Sequence, residues 1–294
     1  MANEKTFFKG SSMKYLLTLS IFVLSSCAHQ GATTTTANSP VVSESVTPEV
    51  YETPKTIDQA VASSYRTTKF KERDSYRHPS DTLTFFGVKS SMKVLEITPG
   101  TGWYTEILAP FLNDKGQYVM ATHPAGSAAP RTNHIEEWSK KFPEIAKNIK
   151  VTTFNLSNPN MDLGEEGSLD MVVTFRNVHN WMAQGLEDVA FKAFAKVLKK
   201  GGVLGVVEHR APADRSDPKA PTGYVREIDV IKMAKAAGFK YAGKSEVNSN
   251  PLNPKDYDKG VWTLPPTFAL KDKDREKYVA IGESDRMTLK FIKL

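Results

Sequence analysis

The sequence predicts a doubly wound α/β domain, with a mainly parallel, seven-stranded sheet and helices on both faces. Seven short apolar runs recur along the chain, at 93–97, 117–121, 151–156, 169–175, 203–208, 240–247 and 288–294. Segments with helical spacing separate several of these runs. Because strands that alternate with helices are joined by right-handed crossovers, we expect most of the strands to lie parallel.

Two of the intervening segments show the helical pattern clearly. Apolar residues recur at steps of three and four over 186–198, and the basic pair Lys199 and Lys200 follows, then two glycines, as at a helix C-terminus. The same spacing recurs over 228–234 before Gly238. These segments are predicted to be helices that pack on the sheet.

The first 27 residues are typical of an export signal. Lys14 precedes the apolar run YLLTLSIFVL, which fits a secretory signal and is too short to span a bilayer. The segment LSSC at 24–27 resembles the lipobox of bacterial lipoproteins, in which the cysteine is lipidated and becomes the N-terminus. The resemblance implies an exported lipoprotein, periplasmic or associated with the outer membrane, with a membrane anchor at Cys27. Met13 would give a more ordinary signal start than Met1, and both starts remain open.

The rest of the chain divides into a linker and a folded body. Residues 28–55 are rich in Thr, Ser and Pro and nearly lack large apolar side chains, which predicts a flexible tether. Residues 56–294 are expected to form the folded domain, with an insertion at 248–285. The net charge is +6, of which residues 1–26 carry +2, and the remaining +4 is too small and too evenly spread to favour a nucleic-acid partner. The single cysteine excludes an intramolecular disulfide.

The segment VLEITPGTGWYTEILA, at 94–109, predicts a ligand site. Residues 93–97 are the expected strand, 98–102 the turn and 103–111 the helix. In a doubly wound sheet, ligands bind at the carboxyl ends of the strands, near the point where the strand order reverses. Glycines in such a turn let a ligand approach the main chain, and the helix N-terminus offers unpaired N–H groups. A dinucleotide site would call for a third glycine at position 105, which is threonine here.

This segment resembles the first motif of the class I S-adenosylmethionine-dependent methyltransferases, which have a Rossmann-like fold. Glu96 matches the acid that ends the first strand, and residues 100–102 match the glycine-rich turn. The likeness covers most of residues 80–294, including VLKKGGVLGVVEHRA at 197–211 and the final TLKFIKL. The string at 77–110 is similar to a group of bacterial predicted methyltransferases. The resemblance implies S-adenosylmethionine as the cofactor and methyl transfer as the activity.

The resemblance also implies a set of cofactor contacts, with two departures. Thr98 stands where the family usually has glycine. At the end of the second strand the family commonly has an acid for the ribose hydroxyls, but no acid lies between Asp114 and Glu136. Either Thr122 or His123 takes that role, or the ribose is held elsewhere, or the ligand is a different one. The expected cofactor-binding residues are Glu96, Thr98, Gly100, Gly102, Thr122, Asn155, Leu156 and Arg176.

A polar cluster, FRNVHNWM at 175–182, follows the apolar strand at 169–175 and is expected to lie over the crevice. Methyl transfer depends chiefly on alignment and desolvation, and a base is needed only when the acceptor arrives protonated. His179 is the candidate base, because histidine titrates near neutrality, and Asn177 is the second catalytic candidate. The alternative is that His179 only ties the loop to the sheet. His209, at the end of the fifth strand, belongs to a second polar group for which a structural role is the simpler interpretation.

The acceptor side of the crevice is expected to be aromatic. Tyr104, Trp181, His209 and Trp262 are the candidate substrate-binding residues. The insertion, which contains Trp262, either forms a lid or seals onto the core. An Arg/His-rich turn at 73–78 either caps the pocket or is simply solvated. The sequence has no HExxH, cysteine pair, Gly-x-Ser-x-Gly elbow or P-loop, so we predict no metal, common hydrolase or nucleoside-triphosphatase site.

The sequence thus favours an exported lipoprotein whose body transfers a methyl group from S-adenosylmethionine to a small molecule. The alternative is an exported ligand-binding lipoprotein that keeps the fold without the methyl transfer. Two observations keep this alternative open: the missing ribose acid and the cytoplasmic origin of the cofactor. A third hypothesis, a surface scaffold, predicts a crevice filled by side chains.

Overall fold

The computed structural model describes residues 51–124, 133–158 and 160–294. The predicted export signal, Cys27 and residues 28–50 of the predicted tether lie outside these ranges. Within them, no helix is both long enough and apolar enough to cross a bilayer.

Strands and helices alternate along the described chain. The strands are β1 Lys93–Ile97, β2 Gln117–Thr122, β3 Lys150–Thr153, β4 Leu169–Phe175, β5 Leu198–His209, β6 Phe239–Ser245 and β7 Arg286–Lys293. The helices are α1 Ile57–Ala62, α2 Thr68–Lys71, α3 Asp74–Arg77, α4 Pro79–Phe86, α5 Thr105–Leu112, α6 Asn133–Lys141, α7 Pro143–Ala146, α8 Val178–Gln184, α9 Glu187–Val197, α10 Glu227–Ala236 and α11 Arg275–Ile281, with a 3-10 helix at Gly260–Thr263.

The strands form one sheet in the order β3-β2-β1-β4-β5-β7-β6. β7 runs antiparallel to β5 and β6, and the remaining neighbours pair in parallel. The prediction of a mainly parallel, seven-stranded, doubly wound sheet is confirmed. Because the strand order reverses between β1 and β4, their carboxyl ends open onto a crevice of the kind that binds ligands in such sheets.

Apolar side chains on the two faces of the sheet pack into two separate hydrophobic cores. In β1, Val94 enters one core, while Leu95 and Ile97 enter the other, as the alternation of a strand requires. Side chains of α8, α9 and α10 complete the core that contains Leu95, and side chains of α4 and α5 complete the core that contains Val94. Helices therefore cover both faces, as predicted.

Four short helices, α1 to α4, precede the sheet and have no counterpart in the sequence-based description. A capping box starts α1: the Thr56 hydroxyl accepts from the Gln59 N–H at 3.1 Å, and the Gln59 side chain accepts from the Thr56 N–H at 3.2 Å. The segment is fastened to the start of α5, where the Trp103 indole N–H donates to the Phe70 carbonyl at 2.9 Å. Its position brings α3 to the rim of the crevice.

The segment 248–285 lies between β6 and β7 and contains the 3-10 helix and α11. It is joined to the loop after β5, where the Val261 N–H donates to the Thr222 carbonyl at 2.9 Å. The backbones come so close there that a Cβ on Gly260 would lie 2.3 Å from the Thr222 carbonyl oxygen. This contact holds the 3-10 helix over the carboxyl end of β5.

Candidate functional site

A cleft of about 450 Å³ opens at the carboxyl ends of β1, β4 and β5. Small-molecule sites typically enclose ~300–1,000 Å³, so the cleft is large enough for a ligand. Residues of α3 and of the segment 248–285 form two of its walls. The predicted site residues that line it are Glu96, Thr98, Gly100, Tyr104, Arg176, Asn177, His179, His209 and Trp262.

Three predicted cofactor residues lie away from this cleft. Thr122 ends β2, and Asn155 and Leu156 follow β3. These strand ends are neighbours of β1 on the side away from β4. The structure therefore places the predicted adenosine contacts beside the cleft, beyond the glycine-rich turn.

Gly102 and Trp181 have packing roles in the structure. A Cβ on Gly102 would lie 2.6 Å from Cγ1 of Ile135, so this glycine makes room for α6. Trp181 is buried in the core and packs on the rings of Phe154 and Phe194, with centroid distances of 5.6 and 5.4 Å. Neither residue lines the cleft.

The turn after β1 presents a bare backbone and one unsatisfied hydroxyl to the cleft. Thr98 has a left-handed φ of 43°, which explains why the resemblance leads one to expect glycine there. Its N–H donates to the Ala121 carbonyl at 2.8 Å, but its buried hydroxyl oxygen has no partner among the described residues. Gly100 has φ 60°, and a Cβ there would meet no atom within 4 Å. The turn therefore leaves space and a polar atom for a ligand.

Glu96 lies below this turn and is almost fully buried. Its Oε2 accepts hydrogen bonds from the Tyr118 hydroxyl at 2.5 Å and from the Thr105 hydroxyl at 3.4 Å. Burial raises the pKa of Glu96 to about 7, against the effect of these two hydrogen bonds. The carboxyl group is thus poised to gain or lose a proton near neutrality, depending on the charge placed beside it.

His179 forms a buried pair with Glu208. Its Nδ1 lies 3.0 Å from Glu208 Oε1, and its backbone N–H donates to Oε2 at 3.2 Å. The His209 N–H also donates to Oε1, at 2.8 Å. The Glu208 carboxylate accepts from two backbone N–H groups. In its contact with His179, the proton is therefore on Nδ1 of the imidazole. In the neutral imidazole the other ring nitrogen, Nε2, is then the acceptor, on a residue that lines the cleft.

His209 lies beside this pair but is held differently. Its Nδ1 is 2.6 Å from the Ser284 hydroxyl, and its ring centroid is 5.5 Å from that of His179. Burial, and then the proximity of His179, lowers the pKa of His209 well below its usual value, which keeps the ring neutral. Ligand atoms of His179, Glu208 and His209 lie within 4.8 Å of one another, close enough to hold a metal ion. The hydrogen bonds described above also hold these three side chains in place without a metal ion.

Asn177 connects β4 to β1. Its side-chain amide donates to the Ile97 carbonyl at 3.0 Å and to the Thr174 hydroxyl at 3.1 Å. These bonds fix the start of α8 and thereby the position of His179, two residues further along. Asn177 therefore lines the cleft and also helps to position His179.

Aromatic rings form part of the cleft wall. The Tyr104 ring stacks on Phe175, with centroids 3.6 Å apart and ring planes 9° apart. Trp262 is 38% exposed and meets the His179 ring edge-on at 6.0 Å. Trp103 is anchored at the back by its bond to Phe70. These side chains border the cleft and leave its volume open, contrary to what the scaffold hypothesis predicts.

Sequence reasoning missed the contributions of Glu208, Glu283 and Ser284. Glu208 ends β5 directly before His209, and its contact with His179 spans 29 positions. Glu283 and Ser284 reach the cleft from the end of the segment 248–285. Glu283 accepts from Arg73, which is 210 positions away, at 2.6 Å. No local pattern in a single sequence records such a contact.

Comparison with known proteins identifies the fold. No protein-family model and no curated protein matches the sequence. A solved S-adenosylmethionine-dependent methyltransferase from Aquifex aeolicus gives a TM-score of 0.50 at 16% identity, covering 77% of this chain and 98% of that one. A TehB-like methyltransferase from Corynebacterium glutamicum gives a TM-score of 0.43 at 14% identity, covering 72% of this chain and 85% of that one. The chain therefore has the fold of the class I methyltransferases, as the sequence predicts.

Proposed function

We propose that the protein transfers a methyl group from S-adenosylmethionine to a small-molecule acceptor. The observation that carries this proposal is the His179–Glu208 pair, whose imidazole lines the same cleft as the bare turn at 98–100. A cofactor turn and a base that share one cleft are what methyl transfer to a protonated acceptor requires.

The residues around the turn fit the cofactor. The unpartnered Thr98 hydroxyl and the open space over Gly100 would receive its amino-acid end, and the buried carboxyl of Glu96 would balance its positive charge. The adenosine half would extend toward the ends of β2 and β3, where Thr122 and Asn155 lie. When bound, S-adenosylmethionine supplies an electrophilic methyl group.

His179 would act on the acceptor. Its Nε2 takes the proton from the attacking O–H, N–H or S–H group, and the Glu208 carboxylate stabilises the resulting imidazolium through Nδ1. Tyr104 and Trp262 would exclude water from the reacting groups. The neutral ring of His209 adds no opposing charge.

Titration calorimetry with S-adenosylmethionine tests the cofactor assignment directly. We expect saturable binding, and the absence of any affinity at millimolar ligand would overturn the proposal. Binding that disappears only after treatment with a chelator would instead reassign the His179, Glu208 and His209 group to a metal.

Replacement of the base tests the catalytic assignment. His179→Ala should lower transfer of labelled methyl groups into small molecules of a bacterial extract by ~10²–10⁴-fold while cofactor affinity stays nearly unchanged. Val189→Ala is the matched control, because Val189 is exposed on α9 and lies outside the cleft. An equal loss of turnover and affinity in His179→Ala would show that His179 is architectural.

A second candidate function is an exported ligand-binding lipoprotein without methyl transfer. It is favoured by Thr122, which stands at the end of β2 where a ribose-binding acid is expected. Native mass spectrometry of protein purified from its own host separates the two functions. A co-purified adenosyl compound supports the enzyme, and a different co-purified small molecule supports the binding protein.

The cellular setting is also part of the proposal. The apolar run after Lys14 and the LSSC segment support export and lipidation at Cys27, which would hold the body at a membrane surface. In that setting the acceptor would be a small molecule of the periplasm or the outer membrane.

A further inference from the structure

Four arginines, Arg73, Arg77, Arg176 and Arg286, form a cluster at one end of the cleft around a single carboxylate, Glu283. Glu283 Oε1 lies 2.6 Å from Arg73 Nε, and Oε2 lies 3.4 Å from Arg77 Nε and 3.0 Å from Arg286 Nη1. These guanidinium groups lower the pKa of Glu283 to about 2, although burial alone would raise it. Three arginines therefore share the single negative charge of Glu283, and a fourth arginine lies beside them.

Arg176 is the fourth cation, and its side chain makes no ion pair or hydrogen bond with any described residue. It lines the cleft directly after β4, in a left-handed conformation with φ 63°, and its N–H donates to the Val207 carbonyl at 2.7 Å. Burial lowers the pKa of Arg176 to about 10, so the group remains charged at neutral pH. Apart from Glu283, the acid that influences it is Glu208, but that carboxylate is occupied by His179 and the His209 N–H.

The cluster also contains buried donors that have no partner among the described residues. They are Nη2 of Arg73, Nη2 of Arg77 and Nε of Arg286. Arg77 is 4% exposed, and the face of Trp103, with its ring centroid at 4.7 Å, compensates only part of its charge. Buried donor atoms without partners are costly, and an oxyanion would satisfy these donors and balance the charge of Arg176.

We propose that the arginine cluster binds an anionic group of the acceptor, a carboxylate or a phosphate. The assignment to an acceptor rests on the proposed function, whereas the anion site itself does not. The cofactor is a poor occupant, because its carboxylate is accompanied by an ammonium and a sulfonium that four guanidinium groups would repel. Since Arg176 and His179 are three positions apart and line the same cleft, an anion held by the cluster would place the acceptor beside the base.

Anion binding to the full-length protein tests the site, with inorganic phosphate and acetate as probes in titration calorimetry. We expect saturable binding of at least one probe, weakened about tenfold or more in Arg176→Gln, because a charge-assisted hydrogen bond is lost. The control Arg226→Gln removes a surface arginine paired with Asp229 and should leave binding unchanged. No saturable binding of either probe, or equal binding to wild type and Arg176→Gln, overturns the proposal.

The thermal midpoint of the unliganded protein gives a second readout. Arg176→Gln should raise the midpoint, because it removes a cation that has no ion-pair partner among the described residues. A lowered midpoint would show that the arginine is already compensated and would count against the site.

Competition with S-adenosylhomocysteine separates the two sources of the anion. Phosphate affinity that persists at saturating S-adenosylhomocysteine supports an acceptor site. A proportional loss assigns the cluster to the cofactor carboxylate and overturns the proposal. If S-adenosylhomocysteine does not bind, the proposed function fails, yet phosphate binding and its loss in Arg176→Gln still decide whether the anion site exists.

Discussion

The protonation of Glu96 affects the stability of the whole domain. Its carboxyl group is buried beneath the turn, and its pKa rises from the ordinary 4.5 to about 7. The folded protein therefore binds a proton more tightly than the unfolded chain does. The stability associated with this proton is fully present below pH 4.5 and is lost as the pH rises to about 7.

Glu96→Gln should remove this pH dependence, because glutamine keeps the shape and an acceptor for Tyr118 but does not titrate. A shift from 4.5 to about 7 corresponds to about 3 kcal/mol in the free energy of unfolding. Urea unfolding of both proteins between pH 4.5 and 8 measures the difference. Two curves that stay parallel over this range would show that Glu96 does not titrate there.

Single elements were predictable where one face or both faces are buried along the whole element. The strand predicted at 169–175 is β4, because its run of apolar residues is buried between two layers of helices. The start of β5 was missed, since Lys199 to Gly202 were interpreted as a helix end. In the structure β5 begins at Leu198, which pairs with Leu169 of β4. Tertiary pairing overrides the local helix-end signal there.

The short helices before β1 were not predicted, because their local sequence signal is weak. α2 and α3 have four residues each, fewer than a periodic pattern needs to show itself. Their positions depend on contacts with distant elements, such as the bond of Thr67 N–H to the Glu106 carboxylate at 2.7 Å. A single sequence holds no record of such contacts.

Gly205 in β5 is a position where two elements meet too closely for a side chain. A Cβ there would lie 2.7–2.8 Å from three ring atoms of Phe86 in α4. Gly205→Ala should therefore lower the free energy of unfolding by about 1–3 kcal/mol through overpacking. Urea denaturation measures this loss, and Phe86→Leu in the same chain should recover part of it. Additive losses in the double variant would show that the two residues do not compete for space.

At the scale of the whole molecule, the sequence predicted the part of the site that lies on strand ends. Glu96, Gly100, Asn177 and His179 come together because parallel strands share one carboxyl edge. The sequence also predicts Arg176 at the crevice and offers the turn at 73–78 as a cap of the pocket. It could not predict that these arginines meet Arg286 around one carboxylate, because they come from the two ends of α3, the end of β4 and the start of β7. Arg73 and Glu283 are 210 positions apart in the sequence, and only the complete fold brings them together.

The membrane anchor is the remaining whole-molecule prediction. If Cys27 carries the lipid, the wild-type protein should sediment with membranes and incorporate labelled palmitate in an expressing bacterium. Cys27→Ser should lose the label and move to the soluble fraction, because the lipid is attached through the sulfur of this one residue.

Ser26→Ala is the matched control, since it changes a neighbouring side chain but leaves the only cysteine of the chain in place. Circular dichroism of the soluble Cys27→Ser protein should show a folded α/β domain, because every strand of the sheet lies after residue 92. Membrane association that survives Cys27→Ser, with the label absent, would mean that something other than a lipid on residue 27 holds the protein at the membrane.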